Sequence, residues 1–314
     1  MSDSALHLAG LTKSYPYGFL HRRRRVVLRS IDLTVPRGGI FGYLGPNGSG
    51  KTTTLKIVMG LLRADAGTVL VLGCPLADPA WRARTGYLPE HPYLYDYLSA
   101  AEYLDYVGRL FSLPAAVRRE RALRLLKLVG LERAQHQALR RFSKGMVQRV
   151  GIAQALMNDP ELVVLDEPMS GLDPLGRRLV RDLILDLKAA GKTVIFSTHI
   201  LGDAEALCDE VAVLRGGELL KSGRLGDILK IDMAYMELLV SDIDAAALDG
   251  DVRARQPVGE RWRLEVATAA LGTVIGSVER AGGRVLSVLP IRQSLEEYFL
   301  QAMGSEGQHW AAHD

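Results

Sequence analysis

Gly45-Pro46-Asn47-Gly48-Ser49-Gly50-Lys51-Thr52, followed by Thr53, is the stretch that decides the fold. It satisfies the pattern G-x-x-x-x-G-K-[ST] in full. The apolar run at residues 40–44 reads as a buried strand before it, and residues 52–62 read as a helix after it. Between a strand and a helix, glycines permit tight turns and close approach, so backbone N–H groups can face inward around a polyphosphate. The helix aims its positive end at the same anion. Residues 45–53 are therefore the expected nucleotide-binding set. Lys51 is expected at the β- and γ-phosphates, and the Thr52 hydroxyl on a bound Mg²⁺.

A second cluster lies further along the chain. Leu162-Val163-Val164-Leu165-Asp166-Glu167 is an apolar strand ending in two acids. Side chains alternate along a strand, but where the chain leaves the sheet both acids can face one ligand. Asp166 is expected to hold Mg²⁺ through its water shell, and Glu167 to orient the attacking water.

Around these motifs, residues 1–222 alternate short apolar runs with helical patterns, the sign of a parallel sheet flanked by helices. Residues 194–196 and 211–214 read as further buried strands, and residues 26–28 as another. Residues 98–111 and 115–129 read as helices without an intervening strand, which predicts a helical insertion over about 91–141. A linker is expected at 223–231. A small α+β domain is expected at 232–303, with strands at 236–240, 262–266 and 285–289 and helices at 271–281 and 294–303. The polar stretch 304–314 is expected to be a disordered tail.

The bulk numbers narrow the class. The chain has 314 residues, enough for one large domain and one small one. A net charge of +3 is too small to call for a nucleic-acid partner. Cys74 and Cys208 match no metal spacing and suggest a reducing compartment. No leader-like run opens the sequence, and no stretch reaches the roughly 18 consecutive apolar residues of a membrane helix. Any membrane-spanning work falls to a partner.

The phosphate loop alone would fit kinases, GTPases and many ATPases. Phe142-Ser143-Lys144-Gly145-Met146-Val147-Gln148-Arg149 lies about 20 residues before the acid pair and opens a helix. It resembles the signature motif of ABC ATPases, usually Leu-Ser-Gly-Gly-Gln followed by Gln-Gln-Arg. Ser143, Gly145, Gln148 and Arg149 match, whereas Lys144 and Met146 depart from it. A serine capping an ordinary helix would account for Ser143 alone. Ser170-Gly171-Leu172-Asp173 resembles the family's D-loop, and His199, in Ser197-Thr198-His199, resembles its switch histidine. Tyr15 matches the aromatic that stacks on adenine. Glu90, after Gly86-Tyr87-Leu88-Pro89, stands where the family usually has a glutamine that serves Mg²⁺ and water. An ionised glutamate can accept from metal-bound water but cannot donate.

The resemblance spans about residues 5–222. It implies an α/β fold of the P-loop NTPase type, ATP and Mg²⁺ as cofactors, and Glu167, His199 and Glu90 as catalytic residues. It also implies that Ser143, Gly145 and Asp173 act across an interface with a second ATPase subunit, a second copy being the simplest arrangement. A multi-helix membrane permease is the implied partner, with the chain cytoplasmic and peripheral at the inner face of the cell membrane. The portion beyond 232 resembles the accessory domain of drug, polyketide and copper-maturation exporter ATPases, which points to export. The alternative is a soluble ABC ATPase acting on ribosomes or DNA, although the single motif set and the lack of a long central coiled coil do not match those types.

Two features stay open. The run His21-Arg22-Arg23-Arg24-Arg25 is either a solvated hairpin tip or a contact for anionic lipid headgroups. The accessory domain carries no catalytic cluster and would support a dimer, regulate, or simply stabilise.

Overall fold

The computed structural model describes residues 4–17, 23–229, 231–243, 252–292 and Leu295. The chain divides into two compact units, Met1–Leu225 and Gly226–Asp314. The first unit contains β1 (Ser4–Tyr17), β2 (Arg23–Pro36), β3 (Ile40–Leu44), α1 (Lys51–Val58), β4 (Ala66–Val71), β5 (Cys74–Pro75) and β6 (Thr85–Leu88). Then come α2 (Ala100–Leu110), α3 (Ala115–Leu128), α4 (Lys144–Ala155), β7 (Leu162–Asp166), α5 (Pro174–Ala189), β8 (Thr193–Thr198), α6 (Leu201–Leu207), β9 (Glu210–Arg215) and β10 (Glu218–Arg224). After α7 (Leu225–Ile228), the second unit holds β11 (Ile231–Ser241), β12 (Val252–Val258), β13 (Arg261–Ala267), α8 (Leu271–Arg280) and β14 (Arg284–Arg292).

The central sheet has the order β10-β9-β3-β8-β7-β6. All its pairings are parallel except that of β10 with β9. Every residue of β3, β7 and β8 is buried. That explains their continuous apolar runs, because strands covered on both faces need no alternation. Since β3, β8 and β7 are parallel neighbours, their C-terminal ends open on one edge of the sheet. In such sheets that edge is where ligands bind.

A second sheet, β2-β1-β4-β5, is antiparallel and was not legible beyond the run at 26–28. Its long first hairpin carries Tyr15 to the edge where the phosphate loop sits.

The expected insertion is helical and capped by its own sequence. In α2, the Ser99 hydroxyl accepts from Glu102 N, while Glu102 Oε2 accepts from Ser99 N at 2.8 Å, a reciprocal box. Helix α4 packs directly on the sheet: a Cβ on Gly86 would lie 1.8 Å from the Ala155 carbonyl oxygen. In α5, Asp173 caps the Gly176 N–H at 2.9 Å and Pro174 occupies the first turn. Arg181 of α5 pairs with the fully buried Asp203 of α6.

Two expected boundaries change. The helix after the phosphate loop ends at Val58 rather than Leu62, because Gly60 turns the chain at φ 66°. The segment 223–231, expected to be a linker, is mostly regular. Gly223 and Arg224 pair with Val211 and Glu210, Leu225 N donates to Asp209 O at 2.9 Å, and α7 follows.

The second unit is a four-stranded antiparallel sheet, β12-β13-β11-β14, with α8. Leu238, Val240, Leu264, Val266, Val274 and Val278 form its core. Strand β12 escaped the sequence reading because Val-Arg-Ala-Arg-Gln-Pro-Val is polar and holds a proline, which only an edge strand tolerates. The helix expected at 294–303 and the tail at 304–314 lie outside the described residues, Leu295 excepted.

Candidate functional site

The loop after β3 curls tightly against the sheet. A Cβ on Gly45 would meet the Leu214 carbonyl oxygen at 2.3 Å, so only glycine fits there. Gly50 caps α1 at φ 111°, a conformation that costs glycine least. A cleft of about 510 Å³ opens at this point. Tyr15, Asn47, Gly48, Gly50, Lys51, Thr52, Thr53, Glu90 and Glu167 line it, together with Arg25 and Val27. Its size suits a nucleotide-scale ligand.

Lys51 is buried, and its Nζ donates to the Gly45 carbonyl at 2.6 Å and to that of Pro46 at 3.3 Å. The same ammonium lies 3.5 Å from Glu167 Oε1. Burial pulls the Lys51 pKa down, and the Glu167 carboxylate opposes that pull.

Asp166 and Glu167, at the end of β7, are held by β8. The register pairs Asp166 with Ser197. The Ser197 hydroxyl donates to Asp166 Oδ1 at 2.6 Å and accepts from Glu167 N at 2.9 Å. Thr52 Oγ1 donates to the same Asp166 oxygen at 3.2 Å. Glu167 adopts φ 49°, a left-handed conformation that costs a non-glycine residue energy and is characteristic of working sites. Its carbonyl accepts from Gln148 Nε2 at 3.4 Å, and its Oε2 lies 3.0 Å from His199 Nδ1.

The remaining oxygen, Asp166 Oδ2, is buried with no hydrogen-bond partner among the described residues. Burial raises the Asp166 pKa, against hydrogen bonds from Ser197 and Thr52. An acceptor without a donor, beside a threonine hydroxyl, is a donor set that a hydrated Mg²⁺ fits. No cluster of three or more His, Cys, Asp or Glu able to hold a metal occurs among the described residues. Such an ion would thus depend on phosphate oxygens and water, which is the usual habit of Mg²⁺.

Glu90 reaches the cleft wall with its side chain 42 % exposed. Ser143, Gly145 and Asp173 do not line the cleft. Ser143 is exposed and caps α4, accepting from Met146 N at 3.3 Å. Gly145 and Lys144 lie against the segment that ends in Asp173. A Cβ on Gly145 would be 3.2 Å from Leu172 Cδ2, and one on Gly171 would be 2.9 Å from Lys144 Cε. The two motifs thus form one surface, and the unusual Lys144 lays its methylenes over Gly171.

Four contributors went unassigned in the sequence reading. Ser197 and Gln148 organise the acid pair, and Arg25 and Val27 line the cleft. For Ser197 the available signal was a hydroxyl at the end of a buried strand. For Arg25 it was a place in the basic run, ten residues after Tyr15.

Comparison with known proteins agrees with this geometry. The family model described as ABC transporter matches residues 28–170. An uncharacterised ABC transporter ATP-binding protein of Nostoc sp. is 45 % identical over 312 residues, spanning 95 % of this chain and 90 % of that protein. A Nod factor export ATP-binding protein of Cupriavidus metallidurans is 39 % identical over 288 residues, 90 % of this chain and 93 % of its own. The dimeric structure of an ATP-binding cassette in a post-hydrolysis state, bound to ADP and Pi, matches with a TM-score of 0.65 at 28 % identity, covering 70 % of this chain and 98 % of that one. With a phosphate loop, a buried acid pair and near full-length relatives in agreement, the chain belongs to the ABC transporter ATP-binding proteins and is an ATPase of that family.

Proposed function

We propose that this chain powers export by a membrane-embedded permease, through an ATP site shared between two copies. The observation that carries the reading is the chain of contacts Thr52–Asp166–Ser197–Glu167–His199, buried at Asp166, Ser197 and Glu167, whose Glu167 carboxylate also faces Lys51.

In this reading, the N–H groups of residues 45–53 cradle the phosphates, and Lys51 exchanges its loop carbonyls for β- and γ-phosphate oxygens. Tyr15 stacks on adenine. Thr52, Asp166 and Glu90 hold a hydrated Mg²⁺, which when bound neutralises charge on the β- and γ-phosphates. Glu167, kept in place by Ser197, Gln148 and its strained backbone, orients the attacking water. His199 contacts the γ-phosphate and fixes the Glu167 carboxylate. Ser143, Gly145 and Asp173 complete the site of a second copy, closing head to tail on ATP.

The permease is supported by relatives named as ABC transporter ATP-binding proteins, and no helix among the described residues is long and apolar enough to cross a membrane. It would hold the chain at the inner face of the cell membrane. Export is supported by the names of full-length relatives described as Nod factor export ATP-binding proteins.

Mixing two variants with impaired turnover tests the shared site. Lys51→Ala and Ser143→Ala are each expected to lose turnover. In a mixed dimer, the intact Lys51 of one copy meets the intact Ser143 of the other. Turnover should return, to about a quarter of the parent level if the two sites are independent and subunits mix freely. Mixtures that stay inactive at every ratio would overturn the shared site.

A further inference from the structure

The described part of the basic run, residues 23–25, is not uniform in the structure. Register pairs Tyr15 with Arg25, between the regular pairs Ser14–Val26 and Pro16–Arg24. Directly opposed residues project from the same face of an antiparallel pair, with Cβ atoms about 5 Å apart. Arg25 accordingly lines the cleft beside Tyr15, as does Val27 two residues along. Arg24, one residue away, belongs to the opposite face of the strand.

The position along the cleft can be read from Val27. Its carbonyl oxygen would lie 3.1 Å from a Cβ on Gly50, so Val27 abuts the phosphate loop. Val27 sits at the register shift between Lys13–Leu28 and Ser14–Val26, and from there β2 runs through Val26 to Arg25 opposite Tyr15. Arg25 therefore stands at the Tyr15 end, away from Lys51.

The Arg25 side chain forms no ion pair or hydrogen bond with any described residue. The neighbouring cations are already engaged. Lys51 is tied to the Gly45 carbonyl and Glu167, and Lys13 is bonded to Asp65 at 3.1 Å with its Nζ 5.5 Å from the Tyr15 ring centroid. An unpaired, planar and weakly hydrated cation beside an aromatic ring is suited to lie against a π-system.

We propose that Arg25 is a nucleotide ligand: its guanidinium widens the Tyr15 platform and stacks on the purine base. This rests on reading the cleft as the ATP site. It assigns one residue of the basic run to nucleotide affinity rather than to lipid.

Calorimetric titration of ATP, and separately of ADP, into the full chain tests it. Arg25→Ala is expected to weaken both nucleotides equally, by about two- to fivefold. Arg25→Lys, which keeps the charge and loses the plane, should recover less than half of that. Arg24→Ala should bind as the parent does. The proposal is overturned if Arg25→Ala binds like the parent, or if Arg24→Ala is equally weak, which would mean bulk charge. It is also overturned if Arg25→Lys recovers fully and the Arg25→Ala loss vanishes at high salt, the mark of a phosphate ion pair. Lys51→Ala separates the two levels: loss of binding there with parent-like Arg25→Ala sinks only the stacking, whereas parent-like binding by Lys51→Ala sinks the cleft reading as well.

Discussion

The cleft and the signature surface carry the same family's motifs in opposite physical condition. In the cleft, Lys51, Asp166 and Glu167 are all buried, and each is held by two or more partners from other elements. On the signature surface, Ser143 and Asp173 are exposed and bond only the first turns of the helices they cap. The difference teaches where each half finds its ligand. A group wired into its own fold is arranged before the substrate arrives. On the proposed reading, the groups left exposed, on a surface joined by Lys144–Gly171 and Gly145–Leu172 packing, would meet the nucleotide held by a second subunit.

The largest effect should come from the buried half. Glu167→Gln keeps the size and loses the charge facing Lys51 and His199. Turnover is expected to fall by about 100- to 1,000-fold with ATP binding retained, as for loss of a positioned base. Steady-state ATPase rates beside equilibrium binding check this, and a loss below tenfold would break the contrast.

Ser143→Ala sharpens the same contrast from the other side. As a helix cap it should cost about 1 kcal/mol of stability. Turnover should drop by about tenfold or more, the cost of one lost charge-assisted phosphate contact. If thermal unfolding and turnover moved only in proportion to each other, Ser143 would be a cap and nothing else.

Glu90 stands between the two regimes, on the cleft wall yet partly exposed. Glu90→Ala is expected to lower turnover by about tenfold and raise the Mg²⁺ concentration needed for half-maximal rate. Glu90→Gln should keep most of the activity. Unchanged turnover and Mg²⁺ dependence in Glu90→Ala would remove Glu90 from the site.

The smallest effect lies at the cleft's rim. Asp65 accepts from Ser14 N at 2.8 Å and Ser14 Oγ at 2.6 Å, and it pairs with Lys13, bracing the strand beside Tyr15. Those hydrogen bonds, Ser14's first, lower its pKa to about 2. A folded pKa below the unfolded value near 3.9 means that the contribution is present in full above that value. It is lost as pH falls through about 2. Asp65→Asn should cost about 1 kcal/mol at neutral pH, allowing for solvent screening, and only a small fraction of that near pH 2. Denaturant melts at the two pH values check it; an equal cost at both would mean that charge plays no part.

Much of the site was legible because its chemistry is local. The phosphate loop needs contiguous glycines and a lysine, and the caps at Ser143 and Asp173 need only a side chain three residues before an N–H. The parallel core strands were legible because full burial leaves an unbroken apolar run. The antiparallel sheet was mostly missed because β1 and β2 mix exposed and buried positions and carry register shifts at Leu8/Leu11 and Lys13/Ser14. Such irregular strands blur the two-residue alternation that reveals a half-buried sheet.

By itself, the sequence determined that a polyphosphate loop, an acid pair and a signature helix occur in order on an α/β chain, since each is fixed by neighbours within a few residues. Only the tertiary structure decided how they couple. Thr52 reaches Asp166 across 114 residues, Ser197 bridges both acids because β7 and β8 are parallel neighbours in one register, and Arg25 enters the cleft because the hairpin sets it opposite Tyr15. Strand order and register come from packing the whole sheet, and a one-residue slip would turn Ser197 or Arg25 to the other face.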